Sequence, residues 1–79
     1  MNKNILTLEK MPTGSKCTVI SLTASGTIRR RFLDLGIISG TNIEVLQKSP
    51  SGNLVAYFIR GAVIALRNED ASTILVKSY

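Results

Sequence analysis

The alternation of hydrophobic and polar positions predicts short β-strands separated by turns. Residues 17–22, CTVISL, are rich in β-branched and apolar side chains and predict a strand. Residues 41–47, TNIEVLQ, alternate apolar and polar side chains, which is typical of a half-buried strand. Residues 11–14, MPTG, and 49–53, SPSGN, have the composition of turns. The last segment, 74–79, predicts a strand that pairs back to the start of the chain.

Two apolar runs within residues 54–67 flank Arg60 and Gly61. They predict either two strands joined by a tight turn or one strand with a bulge at Gly61. Alternation places one set of side chains on each face of the first run, and the sequence leaves open which face is buried. The two sets are Val55, Tyr57 and Ile59 on one face, and Leu54, Ala56 and Phe58 on the other.

Residues 28–35, IRRRFLDL, have the spacing of a short helix. Thr27 is the expected N-cap, and Gly36 is expected to end the helix in a left-handed conformation. The apolar side chains of one helix face are expected in the core, namely Ile28, Phe32 and Leu35. Leu33 is offset from that face, and we expect it to be exposed.

A second short helix is predicted from Asn68, which is expected to cap it. Glu69 and Asp70 would then lie in the first turn, where acidic side chains suit the helix dipole. The sequence therefore predicts a mainly β fold, a small SH3-like barrel of about five strands with two short helical inserts. We expect residues 1–79 to form a single domain.

Composition narrows the chemistry of this domain. The chain has no histidine and one cysteine, Cys17, so it lacks the usual ligands of a preformed metal site and the pairs of a disulfide framework. No base is spaced to activate a nucleophile, and the five acids form no evident pair. The segment ASGT, 24–27, lacks a nucleotide-loop pattern and is interpreted as a turn. We therefore expect no enzyme, no metal site and no cofactor.

The termini and the charge suggest where the protein acts. The first residues lack a signal-peptide core, and no apolar run reaches the ~20 residues of a membrane span. A lone cysteine fits a reducing compartment, so we expect a cytoplasmic protein. The net charge of +5 favours anionic partners, such as nucleic acid or an acidic protein surface.

Four segments carry a recognisable pattern, namely GSKCTVISL at 14–22, RRRFLDLGIISGT at 29–41, IEVLQKSPSGN at 43–53 and FIRGAVIALRNEDASTILV at 58–76. They resemble the FeoA family, small accessory proteins of ferrous iron transport, and two motifs within them carry the match. Phe32 departs from the family pattern, in which leucine is usual, and keeps an apolar side chain there. The matching positions are Arg31, Phe32, Asp34, Leu35, Gly36, Gly40 and Thr41, followed by Arg60, Gly61, Ala65, Leu66 and Arg67.

This resemblance implies a function as well as a fold. It implies an SH3-like barrel in the bacterial cytoplasm that supports or regulates the membrane ferrous iron transporter. The contact would be made with the cytoplasmic GTPase domain or with the membrane-proximal face of that transporter. Because the sequence offers few metal ligands, any role in iron uptake should depend on protein contacts.

The three consecutive arginines, Arg29 to Arg31, are the densest charge in the chain. They lie near the predicted start of a helix, where cations are mildly unfavourable. Asp34 is spaced to pair with one of them, but a single acid cannot neutralise three. We therefore expect an anionic partner surface here. The predicted partner-binding residues are Arg29, Arg30, Arg31, Leu33 and Asp34.

A small basic barrel that binds nucleic acid is the alternative function. Such barrels usually present aromatic side chains on which bases stack, together with basic residues. The chain has four aromatic residues, and at least Phe32 is expected in the core, which makes nucleic acid the less favoured partner. An open barrel also leaves strand edges on which copies of the chain could associate.

Overall fold

Six antiparallel strands form one sheet in the computed structural model, which describes residues 5–78. The sheet order is β1-β6-β2-β3-β4-β5. The last strand pairs with both β1 and β2, as predicted for the end of the chain. The strands are β1 (Ile5–Thr7), β2 (Lys16–Leu22), β3 (Asn42–Lys48), β4 (Leu54–Ile59), β5 (Ala62–Arg67) and β6 (Ile74–Ser78).

The mainly β class is confirmed, with six strands where about five were expected. The additional strand is β1, which has three residues. So short a segment carries no alternating pattern, and it becomes a strand because Leu6 pairs with Val76 of β6. A 3-10 helix, Leu8–Lys10, follows it directly. Its Leu8 is fully buried in the core.

Two α-helices are present, α1 (Gly26–Asp34) and α2 (Asn68–Ala71). The expected N-cap at Thr27 is wrong, because α1 begins at Gly26 and its N-cap is Ser25. The expected cap at Asn68 is also wrong, since Asn68 is the first residue of α2. Its side-chain amide instead donates a hydrogen bond of 2.6 Å to the carbonyl of Gly52, so it ties α2 to the turn between β3 and β4.

The β4–β5 segment is a hairpin without a bulge, which decides between the two predicted alternatives. The register runs without interruption from the pair of Ile59 and Ala62 to the pair of Leu54 and Arg67. Arg60 and Gly61 form the two-residue turn, with φ values of 49° and 82°. Positive φ at both central residues is the signature of a type I′ turn, whose twist matches that of the strands.

The two turns predicted from composition both form. The turn at 49–53 is closed by the amide of Gly52, which donates to the carbonyl of Ser49 at 2.9 Å. The turn predicted at 11–14 lies one residue later, because the amide of Ser15 donates to the carbonyl of Pro12 at 3.2 Å. That shift places Gly14, with a φ of 86°, at a position that favours glycine.

The core is formed by the inward faces of the strands, closed by α1. The face of β4 that the sequence left open is settled, because Tyr57 is 1% exposed and Phe58 is 43% exposed. Phe32 of α1 is buried, as predicted, and Ile28 packs partly buried against the core. The predicted burial of Leu35 is wrong, since this side chain is 36% exposed. The helix has already ended there, and Ile37 occupies the core instead.

Within residues 5–78, no helix has the length and apolar character needed to cross a membrane.

Candidate partner-binding surface

Helix α1 is held against the sheet along one side only. Phe32 is 2% exposed and faces the core, while the remaining side chains from Arg29 to Asp34 are exposed. The guanidinium Nη1 of Arg29 donates to the carbonyl of Leu22 at 3.4 Å, which links the helix to the end of β2. The outward side of α1 therefore faces solvent, while the opposite side of the helix is fixed to the sheet.

Four of the five predicted partner-binding residues lie together on that outward side. They line one surface depression together with Gly26. Residues four apart on a helix are neighbours, which places Arg29 beside Leu33 and Arg30 beside Asp34. Leu33 is 43% exposed, as predicted. We name the four residues the α1 surface: Arg29, Arg30, Leu33 and Asp34.

Arg31 does not line this depression. A helix turns about 100° per residue, so Arg31 lies on the other flank, one turn before Leu35. The interpretation that the arginines begin the helix is corrected, because α1 starts at Gly26 and Arg31 lies in its last turn. A cation near the carbonyl end of a helix is favourable rather than unfavourable. The partner role of Arg31, like that of the other four residues, stays a prediction.

The end of α1 is a Schellman motif, in which Gly36 has a φ of 82°. The amide of Gly36 donates to the carbonyl of Leu33 at 3.0 Å, and that of Ile37 donates to the carbonyl of Phe32 at 2.9 Å. These bonds satisfy carbonyls that the helix end would otherwise leave free. Ile37 and Phe32 are both buried, which adds the apolar contact typical of this motif.

Thr41 fixes the loop that follows α1. This residue is 5% exposed, and its hydroxyl donates to the carbonyl of Gly36 at 2.8 Å. The same hydroxyl accepts a bond of 3.2 Å from the amide of Ile38. The loop is also joined to β2, since Val19 exchanges backbone hydrogen bonds of 2.8 Å with Gly40 and Thr41. The loop is thus held at both ends.

The side chain of Arg60 joins the two resembling motifs. A Cβ added to Gly36 would overlap the Cδ atom of Arg60 and would lie 2.7 Å from its Nε. Arg60 therefore packs directly over the glycine that ends α1. It is the one residue other than glycine with positive φ between residues 5 and 78. The β4–β5 turn therefore contacts the end of α1 through Arg60 and Gly36.

Sequence reasoning missed two exposed apolar side chains near the end of α1. Leu35 is 36% exposed and Ile38 is 47% exposed, close in sequence to Leu33. The available signal was the pair of adjacent isoleucines after Gly36. A Schellman motif buries the residue directly after its glycine, so the first isoleucine turns inward and leaves the second outside.

The buried ionisable groups are unreactive near neutral pH. Cys17 is fully buried, and burial raises the pKa of its thiol to about 11. The thiolate is the nucleophilic form, so this cysteine is an inert core residue at neutral pH. Burial also raises the pKa of Tyr57, with smaller contributions from the negative charges of Glu9 and Cys17. Within residues 5–78, no three His, Cys, Asp or Glu side chains cluster as metal ligands would.

A curved antiparallel sheet closed by one short helix defines a small, mainly β domain of the SH3-like class. The FeoA domain family matches residues 6–78, which is nearly the whole chain. The chain therefore belongs to the FeoA domain family.

Solved structures confirm the SH3-like fold. The FeoA-like protein of Clostridium acetobutylicum superposes with a TM-score of 0.87 at 33% identity, covering 96% of this chain and 88% of that one. The FeoA of Stenotrophomonas maltophilia complexed with zinc, described as a prokaryotic SH3 domain protein, superposes with a TM-score of 0.82 at 26% identity. That match covers 91% of this chain and 89% of the other.

A curated relative combines this domain with a transporter. It is the Fe(2+) transport protein A/Fe(2+) transporter FeoB fusion protein of Porphyromonas gingivalis, 33% identical over 70 residues. The match covers 89% of this chain, which spans 8% of the length of that relative.

Proposed function

We propose that this chain is a non-enzymatic accessory and regulatory protein of bacterial ferrous iron uptake. It acts in the cytoplasm, without a metal or cofactor of its own, by binding the cytoplasmic part of the membrane ferrous iron transporter. The transporter's GTPase domain or its membrane-proximal face is the proposed docking area. The α1 surface, with Arg31 on its flank, is the proposed contact.

The observation that carries this proposal is the fusion relative from P. gingivalis. Its name joins a transport protein A and a FeoB transporter in one chain, and the present chain matches it over 70 residues. Covalent linkage raises the effective concentration of two modules that work together. The FeoA of S. maltophilia is likewise described as a candidate ferrous iron transport activating factor.

The chemistry of the α1 surface favours an acidic protein partner. Arg29 and Arg30 outnumber Asp34 there, and the chain carries a net charge of +5. Leu33 lies among these charges with 43% of its side chain exposed. An exposed apolar side chain ringed by charges is a common centre of a protein interface, in which the charges steer association and fix orientation.

A binding titration with the purified cytoplasmic part of the transporter tests the proposal. The double variant R30E/L33A removes the apolar contact and reverses one charge, and we expect it to weaken binding at least about tenfold. The separate variant R31E measures the contribution of the opposite flank. Both sites are exposed on a helix that Phe32 anchors, so thermal unfolding should change little.

A matched control separates local contact from overall charge. Lys77 is exposed on β6, away from α1, and K77E changes the net charge by the same amount as R30E. We expect K77E to weaken binding less than about threefold, through loss of long-range steering alone. Equal losses in R30E/L33A and K77E would contradict a contact at the α1 surface. No binding by the unsubstituted chain would contradict the function itself.

The same preparation tests the nucleic acid alternative. Phe32 and Tyr57 are buried, Phe58 is 43% exposed, and Tyr79 lies outside the described residues. Within residues 5–78, Phe58 is therefore the one aromatic side chain on which a base could stack, and this supports a protein partner over nucleic acid. Submicromolar binding of single-stranded RNA with a steep salt dependence would favour the alternative instead.

A further inference from the structure

Strand β5 forms the longer of the two edges of the sheet, and its one charged residue, Arg67, lies at its end. The two edge strands are β1, with three residues, and β5, with six. Short length protects β1, and proteins usually protect longer edges with proline, bulges or inward charges. The segment 62–67, AVIALR, has no proline, and its pairing with β4 has no bulge. An edge of this kind can accept a further strand.

The hairpin register shows which backbone groups of β5 point outward. Ile59 and Ala62 close the two-residue turn, so they form a hydrogen-bonded pair, and every second residue after Ala62 also faces β4. The amide of Asn68, which donates to the carbonyl of Asn53 at 3.0 Å, follows the same alternation. The outward N–H and C=O groups therefore belong to Val63, Ala65 and Arg67. Within residues 5–78, β5 pairs with β4 alone.

Side chains along this edge select the chemistry of an added strand. Val63 is 65% exposed and lies opposite Phe58, which is 43% exposed, so the outer face of the hairpin is apolar at the turn end. Ala65 is exposed and small, and Arg67 is an exposed cation at the other end of the strand. Residues directly opposite one another in antiparallel strands share a face. A matching strand thus needs two apolar side chains and one acid.

We propose that the β5 edge binds an extended segment of another protein as a seventh, antiparallel strand. The segment places an acidic residue opposite Arg67 and apolar residues opposite Ala65 and Val63. Because the added strand runs antiparallel, its sequence reads acidic, any residue, apolar, any residue, apolar. The backbone groups supply the affinity and these three side chains supply the selectivity.

Charge argues for this partner rather than for a second copy of the chain. Each copy carries a net charge of +5, so two copies repel one another. An antiparallel β5–β5 pairing centred on Ala65 would also place Arg67 opposite Val63, with no acid to meet it. The β5 edge is separate from the α1 surface, so this proposal stands or falls independently of the proposed function.

The test is a nuclear magnetic resonance titration of the 15N-labelled full chain with a capped eight-residue peptide. The peptide carries glutamate at its second position, valine at its fourth and sixth, and threonine elsewhere. We expect saturable shifts at the amides of Val63, Ala65 and Arg67, whose hydrogen exchange should slow more than about tenfold as they become bonded.

Two methylated peptides provide the matched control. N-methylation of the two valines removes N–H groups that face β5, and we expect affinity to fall at least about tenfold. N-methylation of the two threonines at positions 3 and 5 removes N–H groups that face away, so binding should persist. Equal losses of affinity from both peptides would overturn the proposed strand pairing. They would show that binding does not depend on which peptide N–H groups face β5.

A charge swap tests the selectivity. R67E should weaken binding of the glutamate peptide about fivefold, and a peptide with lysine in place of glutamate should recover it. K77E, with the same change of net charge, should leave both affinities within about twofold. Absence of saturable shifts at the three edge amides would overturn the proposal. Protection of those amides that grows with protein concentration alone would also overturn it, in favour of a second copy.

Discussion

The side chain of Arg60 lies across the backbone of Gly36, so the β4–β5 turn covers the end of α1. A Cβ at Gly36 would stand 2.7 Å from the Nε atom of Arg60 and 3.5 Å from its Cζ. Both residues have positive φ, 49° for Arg60 and 82° for Gly36. The guanidinium group also lies beside the carbonyl end of α1, where a cation is favourable. The β4–β5 turn and the end of α1 are therefore in contact.

Replacing Gly36 with alanine should cost mainly the strain of a left-handed backbone. G36A meets that strain, about 1–2 kcal/mol, and the overlap with Arg60 adds only about 0.5–1 kcal/mol, because the exposed, flexible side chain of Arg60 can move aside. Gly52 provides a matched control, since it has the same φ of 82° but no heavy atom within 4 Å of an added Cβ. Urea unfolding should show G52A losing only the backbone cost. Equal losses would show that the Arg60 contact carries no energy.

A double-mutant cycle measures that contact directly. In an R60A background the overlapping side chain is absent, so G36A should cost only about 1–2 kcal/mol, as G52A does. The coupling free energy between the two sites should therefore be about 0.5–1 kcal/mol. Free energies of unfolding of the four proteins give the value. Additive losses would place Arg60 away from Gly36 in solution.

The contribution of Thr41 to stability should come from its hydroxyl group rather than from its methyl group. T41V keeps the shape but removes the hydroxyl that bonds both the carbonyl of Gly36 and the amide of Ile38, which retain only their mutual bond of 3.1 Å, at a cost of about 1–3 kcal/mol. T41S retains the hydroxyl and should lose less. T18V is the exposed control, since it removes a bond of 2.9 Å to the side chain of Asn42 and should cost under about 1 kcal/mol. A cost for T41V no larger than that for T18V would contradict the buried role.

Stability should fall at alkaline pH because of two buried groups. The pKa of Cys17 is raised from 9.0 to about 11, and that of Tyr57 is raised above its ordinary value of 10.0. The unfolded chain releases these protons first, so stability is full below about pH 9 and is lost as the pH rises toward 11. The expected loss from Cys17 is on the order of 1–3 kcal/mol.

Urea unfolding from pH 8 to pH 11 measures this loss. Y57F keeps the ring and should reduce the slope of stability against pH above about pH 10. C17A should reduce the slope between about pH 9 and 11, although its cavity lowers stability at every pH. The slopes rather than the absolute values are compared. Slopes unchanged in both variants would mean that neither group causes the alkaline loss.

Much of the fold could be predicted because local patterns agree with the tertiary structure. The β-branched and apolar composition of residues 17–22 located β2, alternation located β3, and Gly36 ended α1 in the expected left-handed conformation. The misplaced features depend on distant partners. Strand β1 forms because it pairs with β6. Leu35 is exposed because the Schellman motif at Gly36 puts Ile37, rather than Leu35, into the core.

The sequence predicted that the residues of the candidate surface are exposed, but it did not predict which of them lie on the same side of α1. The arginine run and Leu33 could be singled out as exposed because charged residues avoid the core and Leu33 is offset from the apolar face. Arg31 is separated from Arg29 and Arg30 because a helix turns about 100° per residue. Helix α1 also begins earlier than expected, which places Arg31 in its last turn. The first residue of a helix depends on where the preceding strand ends in the fold, and the local sequence pattern does not determine that position.

The sequence by itself determined the class of fold, because the period of its apolar residues permits strands and one short amphipathic helix. It also determined the family, through motifs that span most of the chain. Only the tertiary structure decided that Tyr57 faces inward, that Arg60 covers Gly36, and that β5 is a free edge. Each of these depends on residues far apart in the chain, which become neighbours only when the sheet forms.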